Sequence, residues 1–239
     1  MYTELKLDLI LKTLRMLHSR IVERFPGSGL GQIAVDLEGL ALETAPVLER
    51  SRKPDLLLRS AAAFAMVLVL VLGVAPFYIM RALPFDALAG VGALVQAIEA
   101  ATQDLIFLAI AVYFLLTIEG RVKRWAALAE LHRLRSVVHV VDMHQLTKDP
   151  EHLLSPGMAT ASSPERRLSR FELARYLDYC SELLSITSKL AALHAQYLRD
   201  PVVLDAVSDI EVLSSNLSSM IWQKIVILDT TLRPGEVAE

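Results

Sequence analysis

The sequence predicts an all-α integral membrane protein, in which a two-helix transmembrane hairpin joins N- and C-terminal cytoplasmic amphipathic helices in a helical-hairpin, coiled-coil-like arrangement. Three observations lead to this fold class. The 239 residues are 54% hydrophobic with a mean hydropathy of +0.43, which is more apolar than an ordinary soluble domain. The apolar excess lies between residues 60 and 118. No strand-like alternation of useful length occurs, and amphipathic helical patterns flank the apolar region.

These patterns divide the chain into three regions. We expect residues 1–58 to form an N-terminal cytoplasmic helical region. Residues 59–120 form the hairpin, with spans at about 60–80 and 101–120 and a small-residue helical connection over 86–100. Residues 121–239 form a C-terminal cytoplasmic helical domain with a loop at 149–164.

The N-terminal region reads as two amphipathic helices. Residues 2–24 carry apolar side chains at alternating spacings of four and three, at Leu7, Leu11, Leu14, Ile21 and Phe25 with His18 in the same series. The Pro-Gly-Ser-Gly sequence after Phe25 ends this helix. A second amphipathic stretch over residues 33–48 leads toward the apolar region.

The first predicted span, residues 60–80, contains no charged residue. Its 21 residues correspond to about 31 Å of helix, close to the thickness of about 30 Å of a bilayer's hydrocarbon core. The alternative is a helix inside a soluble core. That alternative requires the helix to be buried on every face for six turns, so we favour the membrane span.

The second predicted span is shorter, because only 14 uncharged residues, about 21 Å of helix, separate Asp104 from Glu119. A full crossing over residues 101–120 therefore takes in a carboxylate near its end, where the side chain can reach the interface. A short buried or re-entrant segment is the alternative.

Basic residues predict the orientation. Between the spans the only basic residue is Arg81, and the same segment carries two acidic residues, Asp86 and Glu99. The flanks are basic, with Arg50, Arg52, Lys53 and Arg59 before the first span and Arg121, Lys123, Arg124, Arg133 and Arg135 after the second. The positive-inside rule then places both termini in the cytoplasm. We expect a multi-pass protein of a bacterial cytoplasmic (inner) membrane, with possible lipid contacts at Arg121, Lys123, Arg124 and Trp125.

The segment between the spans has two interpretations. Asp86 is placed to cap a helix in which alanine recurs every fourth residue, at Ala89, Ala93, Ala97 and Ala101. Gln96, Glu99 and Gln103 form a narrow polar stripe on the same helix. We favour an amphipathic extension of the second span. The alternative is a possible polar path, in which several copies line an axis with this stripe and select cations.

The C-terminal region reads as three long helices. The second span continues through Leu146, with an apolar seam at Leu131, Leu134, Val138 and Val141. A helix over residues 166–198 follows the loop, and Asp200-Pro201 then supplies an N-cap and a first-turn proline. The last helix forms an antiparallel hairpin with the one before it. Its apolar side consists of Val203, Val207, Ile210, Leu213, Leu217, Ile221 and Leu228.

Candidate chemistry is weak throughout. His139 and Asp142 are three residues apart and are the best metal candidates, but an ordinary polar helix face explains them better. Cys180 reads as a buried structural thiol, and the sequence predicts neither a catalytic residue nor a cofactor. The net charge of -3 argues against nucleic-acid binding.

The sequence therefore favours a non-enzymatic, membrane-anchored helical scaffold or interaction protein. Its expected partners are the lipid bilayer and further copies of itself or partner helices. Two alternatives remain: a subunit of an oligomeric cation channel or transporter, and a metal- or proton-dependent membrane enzyme.

Overall fold

Every regular element of the computed structural model is an α-helix, within the residues that the structure describes (4–82, 91–148, 150 and 168–230). The six helices are α1 (Leu7–Arg24), α2 (Gly29–Arg52), α3 (Leu56–Ala82), α4 (Val91–Leu146), α5 (Arg170–Tyr197) and α6 (Pro201–Thr230). The predicted all-helical class is therefore confirmed. The predicted cap at Asp86 and nearly all of the loop at 149–164 lie outside the described residues.

The chain divides into two units. One combines Met1–Arg52 with Arg124–Glu239, and the other is Lys53–Lys123. We call them the bundle unit and the hairpin unit. Helix α4 is continuous across the boundary between Lys123 and Arg124. The hairpin unit is thus slightly longer at both ends than the 59–120 region predicted from the sequence.

The bundle unit packs five helical segments around one apolar core. Helices α1, α2, α5 and α6 and the part of α4 that follows Lys123 each bury one face. The apolar seam predicted for α4 is buried at all four positions, Leu131, Leu134, Val138 and Val141. On α6 every predicted apolar position is buried except Leu213, which packs against the core while partly exposed. Helical periodicity therefore identified the core faces correctly.

Polar contacts define how the bundle helices run. Helix α1 is antiparallel to α5, since Arg20 pairs with Glu182 and the ring of Phe25 lies 5.4 Å from that of Tyr176. Helix α6 runs antiparallel to α5 but parallel to α4. The parallel pair is joined near its start by Arg124 and Asp200 (2.7 Å) and further along by Gln145 and Lys224 (2.7 Å).

Local sequence explains where several helices begin and end. At the turn between α1 and α2, Gly27 has a φ of +71°, a conformation that glycine adopts without steric cost. Helix α5 begins with a capping box, in which Ser169 and Glu172 each accept a hydrogen bond from the other's backbone amide. Helix α6 begins as predicted. Asp200 Oδ1 accepts hydrogen bonds from the amides of Val202 and Val203, and Pro201 is the first helical residue.

In the hairpin unit, α3 lies antiparallel to the first part of α4. Arg59 pairs with Glu119 at one level (2.7 Å), and a methyl group added at Gly73 would lie 3.6 Å from the Cδ atoms of Leu108 further along. The half-buried residues of α3 recur at helical spacing, at Leu58, Ala62, Ala65, Met66 and Val69. The two helices thus share one narrow seam and leave their other faces uncovered.

Candidate functional site

The outer surface of the hairpin unit is its most unusual feature. All of the fully buried apolar side chains among the described residues belong to the bundle unit. In the hairpin unit large apolar side chains point outward, with Leu57 79% exposed, Phe64 73% exposed and Phe107 65% exposed. Soluble monomers rarely expose apolar patches of more than a few hundred Å², so such a surface indicates contact with protein or with lipid.

Helix α4 contains the longest apolar stretch. Within the described part of the chain, Ile98–Leu146 is the one helical stretch long and apolar enough to cross a membrane by length and composition. None of its most apolar window is buried in the protein, in contrast to the core helix of a soluble domain. Helices α2 and α3 would supply a second such stretch only if they counted as one span across the break at residues 53–55.

A group of charged residues lies at one end of the apolar surface, around Glu119. The carboxylate accepts hydrogen bonds from the guanidinium of Arg59 (2.7 Å) and from the backbone amide of Asp55 (3.2 Å). It also forms an ion pair with the ammonium of Lys123 (2.9 Å). Lys123 in turn donates to the backbone carbonyl of Lys53 (2.7 Å). These contacts fix the middle of α4 to the start of α3 and give the Glu119 carboxylate charged partners beside the apolar surface.

The four residues expected to contact lipid have different environments. Arg121 lies 5.2 Å above the ring of Phe114, an exposed cation–π arrangement. Lys123 is engaged by Glu119, and Arg124 donates to Asp200 at 2.8 Å. Trp125 is 77% exposed. Lys123 and Arg124 are therefore held by carboxylates of the protein, whereas Arg121 lies on an exposed ring and Trp125 is itself exposed.

The polar stripe lies on the first turns of α4. Gln96, Glu99 and Gln103 are all exposed. Helix α4 runs from Val91 through this stripe into the predicted second span without a break, so the stripe and the span belong to one helix. Exposure of these three side chains is expected in both interpretations, for a helix face in contact with water and for a path lined by several copies.

The two candidate metal residues, His139 and Asp142, have no further metal-binding side chains grouped around them in the part of the chain that the structure describes. His139 is exposed, and Asp142 Oδ1 accepts a hydrogen bond from Gln145 Nε2 (2.6 Å). Gln145 is itself held by the ammonium of Lys224. Among the described residues, no group of three or more His, Cys, Asp or Glu side chains is arranged to hold a metal ion. The arrangement instead forms a polar link between α4 and α6.

Two titratable groups are buried in α5. Cys180 is fully buried, and burial raises the pKa of its thiol to about 12. His194 is 1% exposed, and its Nε2 has no hydrogen-bond partner among the residues that the structure describes; burial lowers its pKa to about 4. The sequence predicted the burial of Cys180. The burial of His194 was missed, and the one signal for it in the sequence is its place between Leu193 and Ala195 in an apolar run.

Comparison of this chain with protein families, with curated proteins and with solved structures found no match. Arguments about function therefore rest on the geometry described above.

Proposed function

We propose that this chain is a non-enzymatic membrane-anchored scaffold, in which the hairpin unit spans the bilayer and the bundle unit presents helices to other copies or to partner proteins. The observation that supports it best is the uncovered apolar surface of the hairpin unit. A bilayer would cover that surface without a protein partner, because lipid tails solvate apolar side chains on every face of a helix.

The proposal includes two spans at about residues 60–80 and 101–120 and both termini in the cytoplasm of a bacterial inner membrane. Basic flanks support this orientation, since Arg59 and Arg121 lie at the same end of the hairpin unit. Reporter fusions at each terminus test it. Activity of a cytoplasm-dependent reporter at both ends is expected, and an inactive fusion at either end of a stably expressed protein would contradict it.

Lysine substitutions test the bilayer contact directly. Phe107 and Ile110 lie in the middle of the proposed second span and are 65% and 59% exposed. Replacing both by lysine should cost about 5–7 kcal/mol of insertion free energy and should move the protein from carbonate-resistant membranes to the soluble or degraded fraction.

Leu9 and Met16 of α1 provide the matched control, because they are exposed apolar residues (47% and 59%) on the bundle unit. Replacing both by lysine should leave the protein in the membrane, since a water-facing position tolerates charge within about 0.5 kcal/mol. If the two double variants behave alike, the hairpin surface faces water or protein and the anchor proposal is wrong.

A scaffold that acts through its bundle unit should also form an oligomer of at least two chains. Light scattering of the detergent-solubilised protein, corrected for bound detergent, should give a mass of at least two copies. A monomer that persists at micromolar concentration in lipid nanodiscs would contradict self-association while leaving the membrane anchor intact.

A further inference from the structure

Arg121 lies just beyond the proposed second span and differs from the basic residues near it in the hairpin unit. Its guanidinium lies 5.2 Å from the centre of the Phe114 ring, and that ring is itself 47% exposed. By contrast, Arg59 and Lys123 both contact the carboxylate of Glu119. The charge of Arg121 is therefore placed against an apolar ring and not against a carboxylate.

The described part of the chain supplies no counter-ion for Arg121. Glu119 is two residues away, about 160° around the helix, where Arg59 and Lys123 hold its carboxylate. No acid occupies the positions three and four residues from Arg121 on α4, which are Thr117, Ile118, Arg124 and Trp125. Among the described residues the ring of Phe114 is thus the partner that Arg121 has, and an ion pair is lacking.

The Arg121 side chain leans toward the proposed span. Phe114 is seven residues earlier on α4, about 10 Å along the helix and inside the span of residues 101–120. Helical side chains lean toward the N-terminus of their helix, so the guanidinium comes to lie deeper than the Cα atom of Arg121. In a membrane this places the charge at the edge of the hydrocarbon layer.

A guanidinium at that depth needs an anion at the same depth. An unpaired charge beside hydrocarbon is costly, so such groups are paired or reach the interface. Phospholipid phosphates lie in the interfacial layer that borders the hydrocarbon core. While one face of the guanidinium covers the Phe114 ring, the N–H donors in its plane remain available, and their fork matches two oxygens of one phosphate.

We infer that Arg121 and Phe114 form a binding site for the headgroup phosphate of an anionic phospholipid in the cytoplasmic leaflet. Phosphatidylglycerol has this chemistry, whereas the headgroup of phosphatidylcholine carries its own cation beside the phosphate. The inference rests on the proposed membrane anchor and deepens it by naming the lipid. It also narrows the lipid contacts expected from the sequence, because Glu119 engages Lys123 and Asp200 engages Arg124.

Lipid titration of the delipidated full-length protein in detergent, followed by native mass spectrometry, tests the site. The wild-type protein should bind phosphatidylglycerol more tightly than phosphatidylcholine. Arg121→Gln should weaken the binding of phosphatidylglycerol by about fivefold, the effect expected of one basic residue at an anionic surface. Arg133→Gln, a change at another exposed arginine of α4 that pairs with Glu43, is the matched control and should leave the affinity unchanged.

Two further variants distinguish a site from the general attraction of anionic lipid to positive charge. Arg121→Lys keeps the charge but lacks the planar fork, and Phe114→Leu keeps an apolar side chain but removes the ring. Each should weaken the binding of phosphatidylglycerol by at least about twofold. If both variants bind it as the wild-type protein does, Arg121 acts only as a point charge and the inferred site is wrong.

Inorganic phosphate tests whether the ligand is a lipid. Millimolar inorganic phosphate should not displace phosphatidylglycerol, because the acyl chains hold the lipid against the apolar surface as well. Displacement would assign the site to a soluble phosphate compound and overturn the lipid inference.

The outcomes separate this inference from the proposed function. Arg121→Gln should sediment with carbonate-washed membranes as the wild-type protein does, since the other basic residues of both flanks remain. Equal affinity of the wild-type protein and Arg121→Gln for phosphatidylglycerol would overturn the lipid site and leave the anchor intact. A wild-type protein that is absent from washed membranes would overturn the anchor, and the lipid site with it.

Discussion

Arg124 and Asp200 are joined by two contacts to one carboxylate oxygen, from Nε at 2.8 Å and from Nη2 at 2.7 Å. Asp200 uses its other oxygen to accept the amides of Val202 and Val203. A single side chain therefore starts α6 and also ties it to α4 at Arg124, where the second segment of the bundle unit begins. The two donors share Oδ2, so Oδ1 stays available for the helix cap, and the charge on both partners strengthens the contact.

We predict that Asp200→Ala lowers the free energy of unfolding of the bundle by about 1–3 kcal/mol, because it removes both the cap and the ion pair. Asp200→Asn should cost less, since an asparagine caps nearly as well but carries no charge for Arg124. Urea unfolding followed by circular dichroism measures both. Equal losses in the two variants would mean that the ion pair contributes and the cap does not.

The buried His194 predicts a dependence of stability on pH. The folded protein lowers the pKa of His194 to about 4 from 6.5, so the unfolded state binds more protons between these values. The free energy of unfolding should therefore decrease as the pH falls, by about 2 kcal/mol between pH 7 and pH 5 from this group. Urea unfolding at the two pH values measures the difference.

His194→Leu should remove that part of the pH dependence, because leucine has no proton to gain on unfolding. His139→Leu is the control, since His139 is exposed on α4. It should keep the wild-type difference between pH 7 and pH 5. If His194→Leu shows the same difference as the wild-type protein, the imidazole does not stay neutral in the folded state.

Much of the fold could be predicted because helical periodicity records which side of a helix is buried. The seam of α4 from Leu131 to Val141 and the cap at Asp200 are both local patterns, and both occur in the structure. Where α2 ends was harder to predict. It runs to Arg52 with Pro46 inside it, beyond the predicted end at Leu48. A proline usually disfavours a helix interior, yet α2 continues past the exposed Pro46 and buries Leu48 beyond it.

The partners of the candidate residues could not be predicted, because a single sequence does not say which helices are neighbours. Arg124 was expected to contact lipid, yet it donates a hydrogen bond to the carboxylate of Asp200, which lies 76 positions further along the chain. Asp142 was a metal candidate, whereas in the structure its Oδ1 accepts a hydrogen bond from the side chain of Gln145. The Arg124 contact depends on the parallel packing of α4 and α6, which no local pattern records, whereas the Asp142 contact lies within α4, three residues along the same helix.

The last prediction separates the scaffold from a cation path and concerns Glu99. Glu99→Gln keeps the size and helix propensity of the side chain while removing its charge. If Gln96, Glu99 and Gln103 form a wetted face, this change should alter stability by no more than about 0.5 kcal/mol. Bilayers reconstituted with either protein should then show no conductance.

A path lined by several copies predicts a different result. Repeated Glu99 carboxylates would select cations, and their removal would reduce cation selectivity sharply with assembly unchanged. Asp104→Asn is the control, because Asp104 is also exposed on α4 but lies off the stripe. A reproducible cation current that Glu99→Gln abolishes and Asp104→Asn preserves would replace the scaffold with a channel. We expect no current in any of the three proteins, since contact with water is sufficient to explain a stripe of three polar residues on the first turns of α4.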